Sequence, residues 1–412
     1  MVRFKVNSSV NWLVNSGICI NEKENTMLGG VYAGYNVKQK NWDFIYNEIT
    51  GYTVSAFCVL YKKTKDKTFL DLANSSASFL MKHQIPVNSG FDSGAFYKGF
   101  GLADNKPITT CFSFDVAMVI QGLIDLFQIT KDEGLKQSAI LAGNWLLTMQ
   151  DSSGFFYAHY DLKTKSKKHP GLEFYQDGGC LHAKHAIALL KLFKISEDEK
   201  FQNRAKLVCD WVLTLQDNDG AFWVNESHSH VYAHAHCYAT EGLIFAFNHF
   251  KNPKYQKAIN RACEWLDKNF NRIHWGILGT HKCAKWYIPI ESTSKNKWAQ
   301  LFRSVYPRKE IATDATIQSA RLFLYLKLVD EKDCNFYIAK KIIKNYTLKV
   351  LNKDSSLVQQ GGLHSRLDIS MGLRRSSPII ATWGVLFYIA SDLLMEEIMT
   401  GNRSNMLIND LF

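Results

Sequence analysis

The hydrophobic positions of the chain predict two kinds of helix that alternate along the sequence. One kind is amphipathic: FQNRAKLVCDWVLTL (201–215) has an apolar stripe and a polar face. The other is apolar on nearly all sides, as in SFDVAMVIQGLIDLF (113–127), which is typical of a helix that is buried on several sides. We therefore expect an outer layer of amphipathic helices around an inner layer of apolar helices.

The amphipathic helices belong to a repeat. Each ends in an aromatic residue next to aliphatic residues, followed by a short polar stretch and a glycine with aromatic neighbours. The aromatic positions are Trp12, Phe79, Trp145, Trp211 and Trp265, at spacings of 67, 66, 66 and 54 residues, and IIKNYTLKVL (342–351) is a weaker sixth copy. One such unit cannot bury its apolar face alone, whereas several units packed together can.

The apolar helices lie between these copies. They begin near Glu48, Ser113, Cys180, His234, Thr313 and Pro378. Six outer and six inner helices close into a ring if segment 2–15 pairs with segment 378–395. An open helical solenoid is the alternative, but it would leave the apolar faces of both terminal helices exposed, so we expect closure.

The composition indicates one large globular domain. The chain has 412 residues, of which 46% are hydrophobic and only seven are proline, and no stretch has the composition of a linker. We expect a single domain over 1–398 and a C-terminal tail over 399–412. Because there is neither a signal-peptide pattern nor a run of about 18 apolar residues, we expect a cytoplasmic protein without a membrane span. The nine scattered cysteines are expected to be reduced thiols.

The formal charge of +11 favours an anionic partner or substrate. The lysine runs at 62–67 and 163–168 are typical of solvated loops, and no known nucleic-acid-binding motif is present. We therefore do not expect nucleic acid to be the partner. The sequence leaves the oligomeric state open.

The phrase W-[LV]-[LV]-T-[ML]-Q-D-x-x-G-x-[FW], at 145–156 and 211–222, resembles the repeat of the α/α-toroid proteins. These include six-hairpin glycosidases, glucuronyl C5-epimerases, and the terpenoid-cyclase and prenyltransferase group. The resemblance implies an all-α (α/α)6 toroid with an inner and an outer ring of helices. It also implies that the site lies in a central funnel, lined by the loop after each outer helix and by the first turn of the next inner helix. It does not define the reaction, because this fold has many functions.

Three acidic residues at predicted inner-helix starts are candidate catalytic groups: Glu48, Asp115 and Asp314. A glycosidase needs two carboxylates across the scissile bond, and Glu48 with Asp115 or Asp314 could supply them. The alternative is that these acids only satisfy free backbone N–H groups of the first helical turn.

Histidines cluster at two neighbouring inner-helix starts, in LHAKH and HAHCY. We take His182, His234 and Tyr238 as catalytic candidates, and His185, His236 and Glu241 as substrate-binding candidates. Such groups suit proton abstraction next to a carboxylate, as in C5 epimerisation or β-elimination. The alternative is that they are histidines of the protein core.

The remaining substrate-binding candidates are aromatic or charged residues of the same rim: Tyr46, Tyr52, Tyr175, Asp177, Arg321, Arg366, Arg374, Arg375 and Trp383. Aromatic walls with a few polar groups are typical of a sugar site, and the arginines could bind a uronate carboxylate. A solvated basic loop is the alternative for Arg366, Arg374 and Arg375.

These observations predict a carbohydrate-active enzyme that acts on an acidic, uronate-containing saccharide, by glycoside hydrolysis or by proton abstraction. A non-catalytic glycan-binding or scaffold toroid is the first alternative, and a prenyltransferase or terpenoid cyclase is the second. We expect no cofactor and no metal. Asp177, Cys180, His236 and Cys237 lie near inner-helix starts, but they do not form the zinc motifs of the related toroids.

Overall fold

The computed structural model describes residues 8–87, 90–167, 175, 178–281, 310–330, 333–369 and 375–401. In this part of the chain the outer helices are α1 (Ser8–Asn15), α3 (Lys67–Lys82), α5 (Glu133–Thr148), α7 (Glu199–Leu213), α9 (Pro253–Asn269) and α11 (Asp333–Lys341), which continues through a π-helical turn (Ile342–Tyr346) into α12 (Thr347–Val350). The inner helices are α2 (Asn47–Thr64), α4 (Ser113–Thr130), α6 (His185–Ser196), α8 (Ala233–Phe250), α10 (Thr313–Asp330) and α13 (Thr382–Met399). A 3-10 turn, Cys180–Lys184, precedes α6.

The inner helices form a closed ring. Each contacts the next in the order α2, α4, α6, α8, α10 and α13, and α13 contacts α2. The outer helix α1 packs on α13, the Ser9 hydroxyl donates to the Gly361 carbonyl at 2.8 Å, and the Trp12 indole donates to the Val358 carbonyl at 2.8 Å. The two ends of the chain thus complete one hairpin, and the predicted (α/α)6 toroid is confirmed.

Each inner helix from α2 to α8 joins the next outer helix through a very short turn. After α2, Lys65 adopts a left-handed conformation (φ 60°), and the Asp66 side chain accepts a hydrogen bond from the Thr68 N–H. Asp132, Asp198 and Asn252 cap the next three outer helices in the same way. Because these turns are short, the long loops all lie at the opposite end of the barrel, where the inner helices begin.

The long loops carry short strands, which the hydrophobic pattern did not predict. The strands are β1 (Gly34–Asn36), β2 (Asn41–Trp42), β3 (Ile45–Tyr46), β4 (Gly99–Phe100), β5 (Thr110–Phe112), β6 (His159–Asp161), β7 (Ser166–Lys167), β8 (Val231–Tyr232), β9 (Thr280–His281), β10 (Glu310–Ala312), β11 (Arg366–Asp368), β12 (Arg375–Ser376) and β13 (Ile379–Ala381). They pair antiparallel in small sheets, in the orders β13-β1-β2, β3-β4, β5-β6-β7, β8-β9 and β10-β11-β12. The β1–β13 pair joins the first loop to the last one, so the sheets also close the ring.

The repeated Gln and Gly of the sequence phrase connect neighbouring outer helices. The Gln150 side-chain amide donates to the Gly154 and Arg204 carbonyls, at 3.2 and 3.1 Å. Gly154 has a positive φ of 102°, and a Cβ there would lie 2.3 Å from the Leu207 carbonyl oxygen. The phrase is therefore required by the close approach of one loop to the next outer helix.

The inner helix α4 is long and apolar enough to cross a membrane, judged by its length and composition alone. No other described helix meets that criterion. Helix α4 belongs to the inner ring, and 78% of it is buried inside the protein, as expected for a core helix. None of the eight cysteines that the structure describes forms a disulfide, and all except Cys334 are buried. The division into a domain over 1–398 and a tail stays a prediction, because 402–412 lie outside the described residues.

Candidate functional site

Five of the six inner helices, together with the turn before α6, contribute polar or aromatic side chains to a cluster at the centre of the ring. This central cluster consists of Glu48 and Tyr52 (α2), Asp115 (α4), Lys184 (the turn before α6), His234, Tyr238 and Glu241 (α8), Asp314, Gln318 and Arg321 (α10), and Phe387 (α13), together with Tyr46 at the end of β3. Glu48, Tyr46 and Asp314 are half-buried, and the others are buried beneath them.

Two carboxyl groups meet at the Tyr46 hydroxyl. Tyr46 donates a hydrogen bond to Asp115 Oδ1 at 3.2 Å. Burial raises the pKa of Glu48 to about 7, against the lowering influence of the Tyr46 hydroxyl, Lys184 and Lys98. Burial and the neighbouring Glu48 charge raise the pKa of Asp115 well above its usual value. The pair therefore retains a proton near neutral pH, as general acid catalysis requires.

The phenol side chains of Tyr52 and Tyr238 and the phenyl group of Phe387 lie close together between the inner helices. The Phe387 ring centroid is 5.7 Å from that of Tyr52 and 6.3 Å from that of Tyr238. Burial, followed by the nearby Tyr52 and Glu48, raises the pKa of Tyr238 well above its ordinary value. The charge of Glu48 therefore reaches Tyr238, and the Tyr238 ring centroid is 4.3 Å from that of His234.

A buried ion-pair network forms the floor of the cluster. Lys184 Nζ lies 2.7 Å from Glu241 Oε2, and Arg321 pairs with the other oxygen of Glu241. Burial opposes ionisation of Glu241, but Arg321 and Lys184 outweigh it and lower the pKa of the carboxyl. Burial lowers the pKa of Lys184 to about 8, although Glu241 acts in the opposite direction. The Lys184 ammonium also lies 4.5 Å from the centre of the Tyr238 ring.

His234 is held in one orientation by α10. Its Nδ1 lies 2.5 Å from Gln318 Oε1 and 3.7 Å from Asp314 Oδ2. Since both partners are acceptors, Nδ1 carries the proton, and the lone pair of the neutral ring is on Nε2. Burial lowers the pKa of His234, although Asp314 and Gln318 act to raise it. The neutral ring therefore has the protonation state of a general base.

One carboxyl oxygen and one amide nitrogen of the central cluster are buried without a hydrogen-bond partner among the described residues. They are Asp115 Oδ2 on α4 and Gln318 Nε2 on α10. The two side chains have relative exposures of 3% and 0%. Because buried polar groups are normally hydrogen-bonded, this arrangement suits a polar ligand that supplies the missing partners.

Two of the predicted histidines lie between the central helices and the loops rather than in the central cluster. His182 Nδ1 accepts a hydrogen bond from the Gly179 N–H at 3.0 Å, and burial lowers its pKa to about 3. The His185 ring packs 4.5 Å from Phe156, and burial lowers its pKa well below the usual value. We propose that both are structural.

His236 lies on the far side of α8 from His234, because residues two apart on a helix point in different directions. It accepts from the Phe222 N–H at 3.1 Å and donates from Nε2 to the Ala262 carbonyl at 3.1 Å. Its ring is 4.6 Å from Trp265 of the outer helix α9. We propose that it too is structural.

The remaining predicted residues fall into three groups. Arg366 donates to Glu310 Oε2 at 3.0 Å, so this guanidinium already has a carboxylate partner. Tyr175 lies near Phe112, with ring centroids 5.9 Å apart, and Trp383 is half-buried in the first turn of α13. Asp177, Arg374 and the side chain of Arg375 lie outside the described residues.

Two lysines of the site were missed in the sequence. Lys184 stands between the two histidines of LHAKH, and Lys98 precedes β4. Both lower the pKa of Glu48. Lys184 reaches the centre because the 3-10 turn before α6 changes the direction of successive side chains relative to an α-helix.

Within the described ranges, no group of three or more His, Cys, Asp or Glu side chains is arranged to hold a metal ion. The charged groups of the centre instead contact one another. This polar, charged centre also differs from the dry apolar cavity that prenyl or terpenoid chemistry would require.

The fold agrees with that of solved carbohydrate-active enzymes. A sugar epimerase from a ruminal bacterium aligns with a TM-score of 0.72 and 13% identity, over 96% of this chain and 97% of that one. The cellobiose 2-epimerase of Bacillus thermoamylovorans B4167 aligns with a TM-score of 0.70 and 13% identity, over 92% and 95%. An unsaturated glucuronyl hydrolase specific for heparin aligns with a TM-score of 0.63 and 10% identity, over 95% and 96%. These similarities show the α/α-toroid fold.

Sequence comparison gives only short matches. No family model matches the chain. A copalyl diphosphate synthase from Streptomyces cyslabdanicus is 31% identical over 99 residues, which cover 24% of this chain and 18% of that protein. Mouse spermatogenesis-associated protein 20 is 29% identical over 104 residues, which cover 25% of this chain and 12% of that protein. The chain thus matches less than a fifth of the length of either protein.

Proposed function

We propose that the protein is an enzyme that transfers a proton at a carbon of a saccharide, and so epimerises or isomerises it. The observation that carries this proposal is that two different proton carriers, Glu48 and His234, lie on opposite walls of one polar centre. Their helices, α2 and α8, are three places apart in the ring of six. Tyr238 packs on His234, and the charge of Glu48 acts on the same phenol. Proton transfer with inversion at carbon requires one group on each face of the substrate.

In this mechanism His234 is the base and Glu48 is the acid. The lone pair on His234 Nε2 accepts the proton from a carbon next to a carbonyl or carboxylate, and the C–H electron pair moves into an enolate. Protonated Glu48 then delivers its proton to the opposite face of that carbon. The unpartnered atoms of Asp115 and Gln318 are suited to hold substrate hydroxyl groups.

Several observations support a saccharide as the substrate. The solved structures with this fold include a sugar epimerase, a cellobiose 2-epimerase and a glucuronyl hydrolase. Half-buried aromatic residues surround the polar centre, among them Tyr46 and Trp383. We infer from the charge of +11 that the saccharide is anionic, and we expect neither nucleic acid nor a cofactor to take part. A cytoplasmic location fits the eight described thiols, which form no disulfide and are mostly buried.

Glycoside hydrolysis is the second candidate, and the Glu48–Asp115 pair favours it. Two carboxyl groups that share one proton can act as acid and base across a glycosidic bond. Asp314 is half-buried on the opposite wall and is the other carboxylate that could serve such a pair.

A panel of neutral and uronate-containing oligosaccharides, incubated with the protein in D2O and followed by mass spectrometry and NMR, tests the proposal. Epimerisation or isomerisation places deuterium on a substrate carbon without cleavage. Fragments that have gained water would instead establish hydrolysis, and a new double bond would establish elimination. Binding without any conversion across the panel would overturn the enzymatic proposal in favour of a glycan-binding protein.

A further inference from the structure

Lys98 is fixed at the entrance of the central cluster by its own backbone. Its N–H donates to the Thr110 carbonyl at 2.6 Å, and its carbonyl accepts from the Asn47 N–H at 3.1 Å. Asn47 begins α2 and Thr110 begins β5, which leads into α4. The lysine therefore lies between the loops that position Glu48 and Asp115.

Four aromatic rings surround the Lys98 ammonium. Its Nζ lies 5.2 Å from the ring centre of Phe44, 5.8 Å from that of Tyr46, 5.5 Å from that of Phe112 and 5.6 Å from that of Tyr175. Such contacts stabilise a cation through the ring faces. They hold the charge at one point without supplying a counter-ion.

The charge of Lys98 is not matched by an ion pair within the described part of the chain. It lowers the pKa of Glu48 and of Asp115 from a distance, yet no described carboxylate lies within ion-pair distance of its Nζ. Because both acids have raised pKa values, they are not both ionised near neutral pH. A half-buried ammonium with an incomplete set of partners is suited to receive an anionic group of a ligand.

Three other cations that the structure describes in the centre or at its rim are already paired with carboxylates. Lys184 and Arg321 are paired with Glu241, and Arg366 is paired with Glu310. Lys98 is therefore better suited than Arg366 to bind the carboxylate of a uronate.

We infer that Lys98 binds the carboxylate of a uronate residue whose pyranose ring lies against the surrounding aromatic side chains. This inference rests on the proposed function, and it names the substrate class. With the carboxylate on Lys98, the adjacent C5 faces the centre that contains Glu48 and His234. When the C5 proton leaves, the electron pair moves onto the carboxylate oxygens, and the ammonium stabilises the charge that develops there.

The test is isothermal titration calorimetry with three matched ligands: a glucuronate-containing disaccharide, its glucose counterpart and its glucose 6-sulfate counterpart. The variants are Lys98→Met, which keeps the apolar stem, and Lys98→Arg, which keeps the charge. Lys106→Met is the control, because it removes a charge from an exposed pair with Asp104 in the same loop. Thermal melts verify that each variant is folded.

The wild-type protein and Lys106→Met should prefer glucuronate over glucose by about 10- to 100-fold, the value of one charged hydrogen bond. Lys98→Met should bind both ligands equally and the glucose ligand as the wild type does, while Lys98→Arg should retain part of the preference. A preference that survives in Lys98→Met would overturn the inference, and so would equal binding of the sulfate by the wild type.

If uronates are converted while Lys98→Met keeps the preference, only the inference fails. If no saccharide binds, the proposed function fails with it.

Discussion

The Tyr46 hydroxyl donates to Asp115 Oδ1 at 3.2 Å and so joins the first two hairpins of the ring at the start of their inner helices. Tyr46 precedes α2, whereas Asp115 lies in the first turn of α4. The same hydroxyl acts to lower the pKa of Glu48. One phenol therefore influences both carboxyl groups of the proposed acid.

Replacing Tyr46 by Phe should shift the pH dependence of activity. Protonated Glu48 is the acid, so kcat/KM should fall as the pH rises through about 7, the pKa of Glu48. Without the hydroxyl the pKa of Glu48 rises further, and the fall should move to higher pH. The measurement is the pH profile of kcat/KM. Tyr61→Phe, at the far end of α2, is the control, and an unmoved profile for Tyr46→Phe would argue against Glu48 as the acid.

Replacing His234 by Gln should lower kcat by about 100- to 10,000-fold, the usual contribution of a general base. Gln keeps a polar side chain but cannot take the proton. His249→Gln, at the other end of α8, removes a half-buried histidine outside the central cluster and should retain full activity. Steady-state kinetics of both variants decide the point, and a His234→Gln enzyme with wild-type kcat would exclude this residue as the base.

Much of the fold could be predicted from the sequence because burial periodicity and repeat spacing are local properties. The predicted starts of α4 and α10, at Ser113 and Thr313, coincide with the observed ones. The short strands were missed, since two or three residues are too few for a hydrophobic alternation.

The candidate site could be predicted less completely. Glu48 and His234 were predicted as catalytic candidates because residues at the start of an inner helix are expected to lie at the centre of the ring. Lys184 was missed because the 3-10 turn alters the side-chain directions of LHAKH. Lys98 could not be recognised in the sequence, since its four aromatic neighbours come from three different loops. His236 was predicted to bind substrate although it is two residues from His234. On a helix this spacing indicates that the two side chains point in different directions.

Replacing Glu241 by Gln should destabilise the protein strongly. The change leaves Lys184 and Arg321 as two buried cations without their common partner, and breaking a buried ion pair from one side costs about 3–5 kcal/mol. Urea denaturation measures the loss in the free energy of unfolding. Asp104→Asn, which breaks the exposed pair with Lys106, should leave it nearly unchanged, because solvent screens exposed ion pairs. Equal small losses in both variants would contradict the stabilising role of the network.

Replacing Gly154 by Ala tests why the repeat contains this glycine. The new Cβ would meet the Leu207 carbonyl oxygen at 2.3 Å in a backbone with φ of 102°. We expect a loss of about 1–3 kcal/mol in the free energy of unfolding. Gly90→Ala is the matched control, because its φ is also positive (83°) but no described atom lies within 4 Å of the new Cβ. If the two variants lose the same stability, the close approach to the outer helix is not what requires glycine.

The central claim is that Glu48 and His234 transfer a proton at a carbon of a saccharide held between them. NMR in D2O, with the saccharide that the panel identifies and with wild-type, Glu48→Gln and Asp43→Asn proteins, tests it most directly. The wild-type protein and the Asp43→Asn control, whose side chain is exposed before α2, should place deuterium at the inverted carbon. Glu48→Gln should slow formation of that product at least about 100-fold. Product that forms without deuterium on carbon, or at the wild-type rate in Glu48→Gln, would contradict the claim.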